Sequence, residues 1–171
     1  MESLSISQTS SSTSSSAVKS GPSSSFIEVI KKTKKNEPKI VPQLILVDKE
    51  AFGSEGGDNG STVRNLWKSQ VNRIIVARKT DTQSIVGYAA FLIRDSDEKA
   101  TRNKKQKSAE PQAKGSYLMR IGVRARCQRQ GIGRKLIEYL FEHYPASLSL
   151  DVSTDNLKAV SFYKRVGLVI E

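Results

Sequence analysis

The stretch that most constrains the fold is an apolar segment, a glycine-containing turn and an amphipathic helix that follow one another between residues 117 and 141. Segment 117–123 is rich in residues that favour β-strands, whereas from Ile132 onward apolar residues recur at helical spacing. Between them lies a basic turn with Gly131 and Gly133, which permits tight backbone geometry and close approach of a ligand. A helix that begins at such a turn presents free N–H groups and the positive end of its dipole, so the pattern predicts a phosphate site.

The length and composition of the chain limit the classes of protein it can belong to. A chain of 171 residues with 37% hydrophobic residues can bury one core, so we expect a single folded domain. The formal net charge of +11 favours anionic partners: nucleic acid, an acidic membrane surface or a polyphosphate cofactor. The single cysteine, Cys127, excludes an internal disulfide and a cysteine-based zinc site. No apolar run approaches the roughly 20 residues that span a bilayer, so we expect no membrane-spanning helix.

Residues 1–25 and the segment 95–115 differ in composition from the rest of the chain. Serine and threonine dominate residues 1–25, which have almost no apolar side chain to bury, so we predict a disordered tail there. Segment 95–115 is polar, rich in lysine and without periodicity, and we predict a flexible basic insertion between two strands. The predicted folded domain is therefore 26–171.

The N-terminal segment also bears on the location of the protein. It lacks the basic start and the apolar core of a secretory signal, so we expect the protein in the cytoplasm or the nucleus. Its serine-rich composition leaves organellar targeting open, although it contains no arginine. The lysine cluster at 31–35 is either a nuclear import signal or a solvated surface.

Periodicity also predicts the elements that surround the central stretch. Residues 73–78 and 84–93 are strand-like runs that a short polar segment joins, so they are expected to form a hairpin. Alternation in 148–152 places Leu148, Leu150 and Val152 on one face of a strand and Asp151 on the other. The other predicted elements are a strand at 26–30, helices at 44–52, 62–70 and 156–166, and the start of a strand at 167–171.

The glycine turn and the segment after it resemble a known family. Gln128-Arg129-Gln130-Gly131-Ile132-Gly133, between a strand and a helix, resembles the acetyl-CoA diphosphate loop of the GNAT acetyltransferase superfamily. The strand at 148–152, followed by Asn156, Tyr163 and Gly167-Leu168, is similar to the strand–helix segment that comes next in that family. The resemblance covers about 26–171, and its spacing is similar to that of the RimI-like N-terminal peptide acetyltransferases.

The resemblance implies a fold and an activity. The fold would be a mixed α/β sheet of the GNAT type that lacks the last strand of the family. Acetyl-CoA would lie between the parting strands 117–123 and 147–152. The acceptor would be a primary amine: first a protein N-terminus, then a lysine side chain, then a small amine. A monomer or a dimer is expected, with no membrane partner.

The resemblance also assigns roles to individual residues. Main-chain amides near the end of strand 117–123 and in the loop 128–134 would bind the cofactor, and Asn156 would hydrogen-bond its pantetheine arm. Tyr163 would protonate the departing thiolate. Asp151 would act as the base, directly or through water, although it is one methylene shorter than the glutamate of the family. The implied cofactor-binding residues are Ile121, Val123, Gln128, Arg129, Gln130, Gly131, Ile132, Gly133, Arg134, Asn156 and Tyr163.

Each of these roles has a structural alternative. Asn156 is also a good helix N-cap, Tyr163 is also a core aromatic of its helix, and Asp151 could cap a turn or pair with an arginine. Two other functions stay open as well: a basic nucleic-acid-binding module, and a GNAT domain that binds acetyl-CoA without turnover.

Overall fold

The computed structural model describes residues 3–7, 24–53, 59–94, 115–144 and 147–170. The helices are α1 (Glu37–Phe52), α2 (Ser61–Lys68), α3 (Ile132–His143) and α4 (Leu157–Arg165), with a short 3-10 helix at Ala125–Cys127. The strands are β1 (Ser3–Ser7), β2 (Ser25–Val29), β3 (Asn72–Lys79), β4 (Ile85–Arg94), β5 (Gly115–Val123), β6 (Ser147–Ser149), β7 (Asp151–Ser153) and β8 (Val169–Ile170).

The strands form one five-stranded sheet and one small sheet. The order β2-β3-β4-β5-β6 is antiparallel as far as β5, and β6 lies parallel to β5. The predicted hairpin is β3 and β4. The mixed α/β class is confirmed, because helices cover both faces of a sheet that contains both kinds of pairing.

Two apolar clusters fix the helices on the sheet. On one face α3 contributes Leu136, Ile137 and Leu140, which pack with alternate residues of β3, β4 and β5. On the other face α1 contributes Leu44 and Val47, both fully buried. The helices cover the two faces of the sheet and leave its edges to other parts of the chain.

The edge of β5 is where the sheet opens. Pairing between β5 and β6 runs from Gly115↔Ser147 to Tyr117↔Ser149 and then ends. After Leu150 the chain continues as β7, which pairs with β1 and not with β5. The predicted strand at 148–152 is therefore split into two. From residue 118 to 123, β5 has a strand partner on only one side within the described ranges, so a cleft opens along its other side.

Strand β1 corrects part of the predicted disordered tail. Residues 3–7 pair antiparallel with both β7 and β8 and lie between them. The prediction considered only the apolar area that side chains could bury, whereas a strand between two open edges is held by main-chain hydrogen bonds. The remainder of the tail up to residue 23, and residues 95–114 of the predicted insertion, lie outside the described residues.

Candidate active site

The glycine turn connects β5 to α3 and exposes main-chain amides. Gly131 is the N-cap of α3 with φ 79°, and no side chain caps the helix. The first turn of α3 also contains no acidic residue. No side chain therefore occupies its first N–H groups, and the anion site at this helix start stays a prediction.

Side chains of the turn stabilise the turn itself. Gln128 donates from Nε2 to the carbonyl oxygen of Val123 at 3.1 Å, and Gln130 donates to that of Arg126 at 3.1 Å. Arg129 has φ 63°, an uncommon conformation for a residue other than glycine. The amides, and not the glutamine side chains, are thus the groups presented to a ligand.

Gly133 sets the distance between α3 and α4. A Cβ atom at this position would lie 3.2 Å from the ring of Phe162, so a larger residue would push the two helices apart. Tyr163 is the next residue, and its ring lies 5.2 Å from that of Phe162. The close packing at Gly133 therefore fixes α4, which carries Tyr163, against the start of α3.

Alanine in place of Gly131 is expected to weaken coenzyme A binding about tenfold, or about 1.4 kcal/mol. Nothing lies within 4 Å of a Cβ atom there, so the effect comes from the left-handed backbone and not from a clash. An L-residue relieves that strain by turning the amides away from the ligand. The measurement is the Kd of coenzyme A by titration calorimetry.

Gly167→Ala is the matched control for this prediction. Gly167 follows α4 with φ 92°, and its Cβ position is also open. Both variants should lose similar stability, and only the Gly131 variant should bind coenzyme A more weakly. Equal affinities in the two variants would show that the turn does not hold the cofactor.

Tyr163 lies in α4 with 8% of its surface exposed. Burial raises the pKa of its hydroxyl to about 12. The group therefore keeps its proton throughout the neutral range, as a proton donor must. Its predicted roles as acid and as cofactor contact stay predictions.

Asn156 is the N-cap of α4. Its Oδ1 accepts a hydrogen bond from the amide of Ala159 at 3.1 Å, so the structural alternative for this residue holds. The capping hydrogen bond uses Oδ1, so the Nδ2 group can donate to another partner. A contact from Nδ2 to the pantetheine arm stays a prediction.

Asp151 forms a pair with a tyrosine that the sequence analysis did not assign. Tyr117 donates its hydroxyl proton to Oδ2 of Asp151 at 2.7 Å, across the point where β5 and β6 part. Burial and this hydrogen bond raise the pKa of Tyr117. The guanidinium of Arg94 lies 4.4 Å from the centre of the Tyr117 ring. Asp151 itself is exposed, so its carboxylate can accept a further hydrogen bond from a ligand in the cleft.

A buried ion pair joins α1 to β5 on the face of the sheet that α1 covers. Asp48 in α1 is 4% exposed and receives two hydrogen bonds from Arg120 of β5, at 2.6 and 3.0 Å. The hydroxyl of Tyr88 donates to the same carboxylate at 2.5 Å. The ring of Phe52 lies 4.0 Å from the Arg120 guanidinium. The last turn of α1 is therefore fixed beside the open part of β5.

The pairing between β4 and β5 adds one irregularity at this place. Ala90 pairs with Arg120 and Phe91 pairs with Leu118, so Met119 is an extra residue in β5. Such a bulge leaves a residue without a ladder partner and turns the local backbone. Met119 is 42% exposed and borders the cleft together with Phe52.

The sequence did carry signals for the residues that were missed. Arg120 interrupts an apolar strand, and Asp48 lies four residues after Leu44 on the buried side of α1. A charge at a buried position requires a partner of opposite sign. Tyr117 is in β5 and Asp151 is in β7, and the path of the chain that brings them together could not be read from the sequence.

Comparison with known proteins agrees with this geometry. The family model described as acetyltransferase (GNAT) family matches residues 43–168. The crystal structure of ribosomal-protein-S18-alanine N-acetyltransferase from Escherichia coli is similar, with a TM-score of 0.57 and 18% identity over 84% of this chain and 77% of that one. Aminoglycoside 6'-N-acetyltransferase AAC(6')-Ih from Acinetobacter baumannii has a TM-score of 0.56 and 17% identity over 84% and 90%.

A third similar structure is aminoglycoside N-acetyltransferase AAC(6')-Iy in complex with CoA, with a TM-score of 0.56 and 13% identity over 88% of this chain and 91% of that one. At such identities these structures support the fold alone. No significant match was found among curated protein sequences. The family model covers most of the chain, and its extent includes the glycine turn, the cleft and α4. The chain belongs to the GNAT family of acetyltransferases.

Proposed function

We propose that this protein transfers an acetyl group from acetyl-CoA to the α-amine at the start of a polypeptide, with the lysine side chain as the second candidate acceptor. The observation that carries the proposal is the open edge of β5. The uncapped start of α3 lies at one end of this edge, and the Tyr117–Asp151 pair lies at the other.

Acetyl-CoA is the acyl donor of this family, and the residues present fit it. The first amides of α3 suit a diphosphate, and the exposed Arg129 adds positive charge beside them. The free edge of β5 offers alternate N–H groups to the amide-containing arm. When bound, the cofactor supplies an acyl thioester that is already activated for attack by an amine.

The residues that border the cleft favour a peptide over a polycation. Asp151 supplies an exposed carboxylate there, and the guanidinium of Arg94 lies over the ring of its partner Tyr117. Arg120 is paired with Asp48, so Arg94 is the guanidinium that would repel an acceptor with several ammonium groups. Phe52 and Met119 instead offer partly exposed apolar surface to a first side chain.

The chemistry requires the ammonium group of the acceptor to lose two protons and the departing thiolate to gain one. Asp151 accepts a proton from the ammonium group of the acceptor, directly or through water, while Tyr117 holds the carboxylate in place. The nitrogen then attacks the acyl carbon. N–H groups near the bulge at Met119 stabilise the oxyanion that forms. Tyr163 would give its proton to the departing thiolate, and the second proton that the nitrogen loses would return to the Tyr163 oxygen, directly or through water.

A screen of acceptors by release of free thiol tests the proposal. One peptide is supplied with a free N-terminus, with a blocked N-terminus and one internal lysine, and with both amines blocked; an aminoglycoside is the fourth acceptor. We expect turnover with the free N-terminus and little with the blocked forms. Turnover with the aminoglycoside alone would overturn the peptide assignment. Coenzyme A binding without turnover on any acceptor would indicate a binding domain that is not an enzyme.

Asp151→Asn is expected to lower kcat/KM about 10²-fold at pH 7, because general-base catalysis typically contributes at least that much. The deficit should shrink as the pH rises past about 8, since an α-amine then loses its proton to solvent without help. The measurement is kcat/KM between pH 6.5 and 9.5.

Asp155→Asn removes the same charge from an exposed residue four positions later and should leave the profile unchanged. A loss for Asp151→Asn that stays constant across the pH range would mean that the carboxylate binds the acceptor and does not remove its proton.

A further inference from the structure

Six exposed cations lie at the end of the sheet opposite the glycine turn. They are Lys31, Lys34, Lys35, Lys39, Lys68 and Arg73, and we call them the basic end. Four element ends meet there: β2 ends at Val29, α1 begins at Glu37, α2 ends at Lys68 and β3 begins at Asn72. Residues 31–39 contain five lysines and one acidic residue.

Hydrogen bonds hold the backbone of the basic end in one conformation. The amide of Ile30 donates to the carbonyl of Ile74 at 2.9 Å, which brings Lys31 opposite Arg73. Asn36 donates from Nδ2 to the carbonyl of Lys31 at 3.1 Å. The remaining lysine of segment 31–39, Lys32, is used internally, because it donates to two carbonyl oxygens at the end of α2. Lys31, Lys34 and Lys35 therefore project from a loop that hydrogen bonds hold in place, and Lys39 and Lys68 project from the adjoining helix ends.

The cations of the basic end differ from the arginines of the protein that form ion pairs. Arg78, Arg120, Arg124 and Arg134 each bind a carboxylate within 4.0 Å. Over the described ranges, no carboxylate forms such a pair with any member of the basic end. Unpaired charges of one sign, held close together, repel each other and lower the stability of the fold. A partner with negative charges would remove that repulsion.

The chemistry of the basic end indicates the kind of partner. Segments 31–39 and 68–73 contain no aromatic residue, so they provide no platform for stacking unpaired bases. Val71 is the one large apolar side chain exposed in these two segments, which is too little apolar surface to insert into a membrane. The ammonium and guanidinium groups of the basic end match an array of phosphates. Contacts to phosphates position a nucleic acid without reading its sequence. We propose that the basic end binds the phosphate backbone of a nucleic-acid duplex.

This binding would not compete with the cofactor. Helix α1 has 16 residues, and it runs from the basic end to the pairs that join it to Arg120 and Arg124 near the end of β5. The separation is about 24 Å along this helix. A duplex at the basic end and coenzyme A at the start of α3 can therefore be bound together.

The test is fluorescence anisotropy with labelled DNA and RNA duplexes of about 20 base pairs, over a series of salt concentrations. The triple variant Lys31→Gln, Lys34→Gln, Lys35→Gln should bind at least tenfold more weakly at low salt. Its plot of log affinity against log salt should be shallower by about 2–3, because each lost phosphate contact removes about 0.9 from the slope for DNA. Turnover in the thiol assay should be unchanged, so failure here and failure of the acetyltransferase proposal are distinguishable.

The matched control is Lys49→Gln, Lys158→Gln, Lys164→Gln, which removes the same charge from exposed positions elsewhere. Equal losses in the two triple variants would overturn the proposal, because net charge alone would then explain binding. Displacement of the duplex by saturating coenzyme A would overturn it too, since the duplex would occupy the glycine turn. Binding to vesicles with anionic lipids but to neither duplex would also reject the assignment.

Discussion

The Asp48→Ala variant is expected to lose about 3–5 kcal/mol of unfolding free energy, because it leaves a largely buried guanidinium without its partner. Asp48 is 4% exposed and accepts hydrogen bonds from both Arg120 and Tyr88. Alanine removes the acceptor from both donors, and water has little access to replace it. The measurement is urea unfolding at pH 7, followed by circular dichroism and analysed as a two-state transition.

Glu138→Ala is the matched control, because it breaks an exposed pair with Arg134. Exposed pairs between neighbouring turns of a helix contribute less than about 0.5 kcal/mol, so this variant should unfold almost as the wild type does. Adding Arg120→Ala to Asp48→Ala should cost less than the sum of the two single losses, since the orphaned charge is then removed. A loss below about 1 kcal/mol for Asp48→Ala would mean that solvent reaches Arg120.

Tyr163→Phe is expected to lower kcat about 10²-fold or more, which is the usual contribution of a general acid. Burial raises the pKa of Tyr163 to about 12, so the hydroxyl is protonated at every pH at which the enzyme would be assayed. Phenylalanine keeps the ring that packs beside Phe162 and removes only the proton donor. The measurement is kcat at saturating acetyl-CoA and acceptor, together with the Kd of coenzyme A.

Tyr139→Phe provides the control for this substitution. Tyr139 stacks on His143 near the end of α3, with ring centroids 3.8 Å apart, and has no predicted role in the reaction. Its variant should keep full turnover. If Tyr163→Phe also keeps full turnover while the chemical step limits the rate, Tyr163 is not the proton donor. A drop in kcat with weaker coenzyme A binding would instead indicate a contact to the cofactor.

The central part of the fold could be predicted because local patterns determine it. The strand that became β5, the glycine turn and α3 follow from strand preference, two glycines and helical periodicity within one continuous segment. The hairpin of β3 and β4 follows for the same reason. The family model confirms the resemblance drawn from Gln128 to Gly133, and acetyl-CoA as the cofactor follows from it.

Contacts between segments that are far apart in the chain could not be predicted from the sequence. Tyr117 and Asp151 are separated by 34 positions and Asp48 and Arg120 by 72, so each contact depends on the register of strands and on which face a helix covers. The split of the 148–152 strand at Leu150 has the same origin, because β6 and β7 pair with different partners. Periodicity gives the faces of an element but not its neighbours.

The position of β1 limits which substitutions residues 3–7 can tolerate. Residues 3–5 pair with β7 and residues 6–7 pair with β8, so main-chain pairing holds both ends of the strand, whatever side chains it carries. Proline has no amide hydrogen, so it would remove a rung from one of the two ladders. A saturation scan of these five residues should therefore accept most replacements and reject proline. In related sequences the side chains of this segment would vary widely, whereas residues that carry an amide hydrogen would be kept.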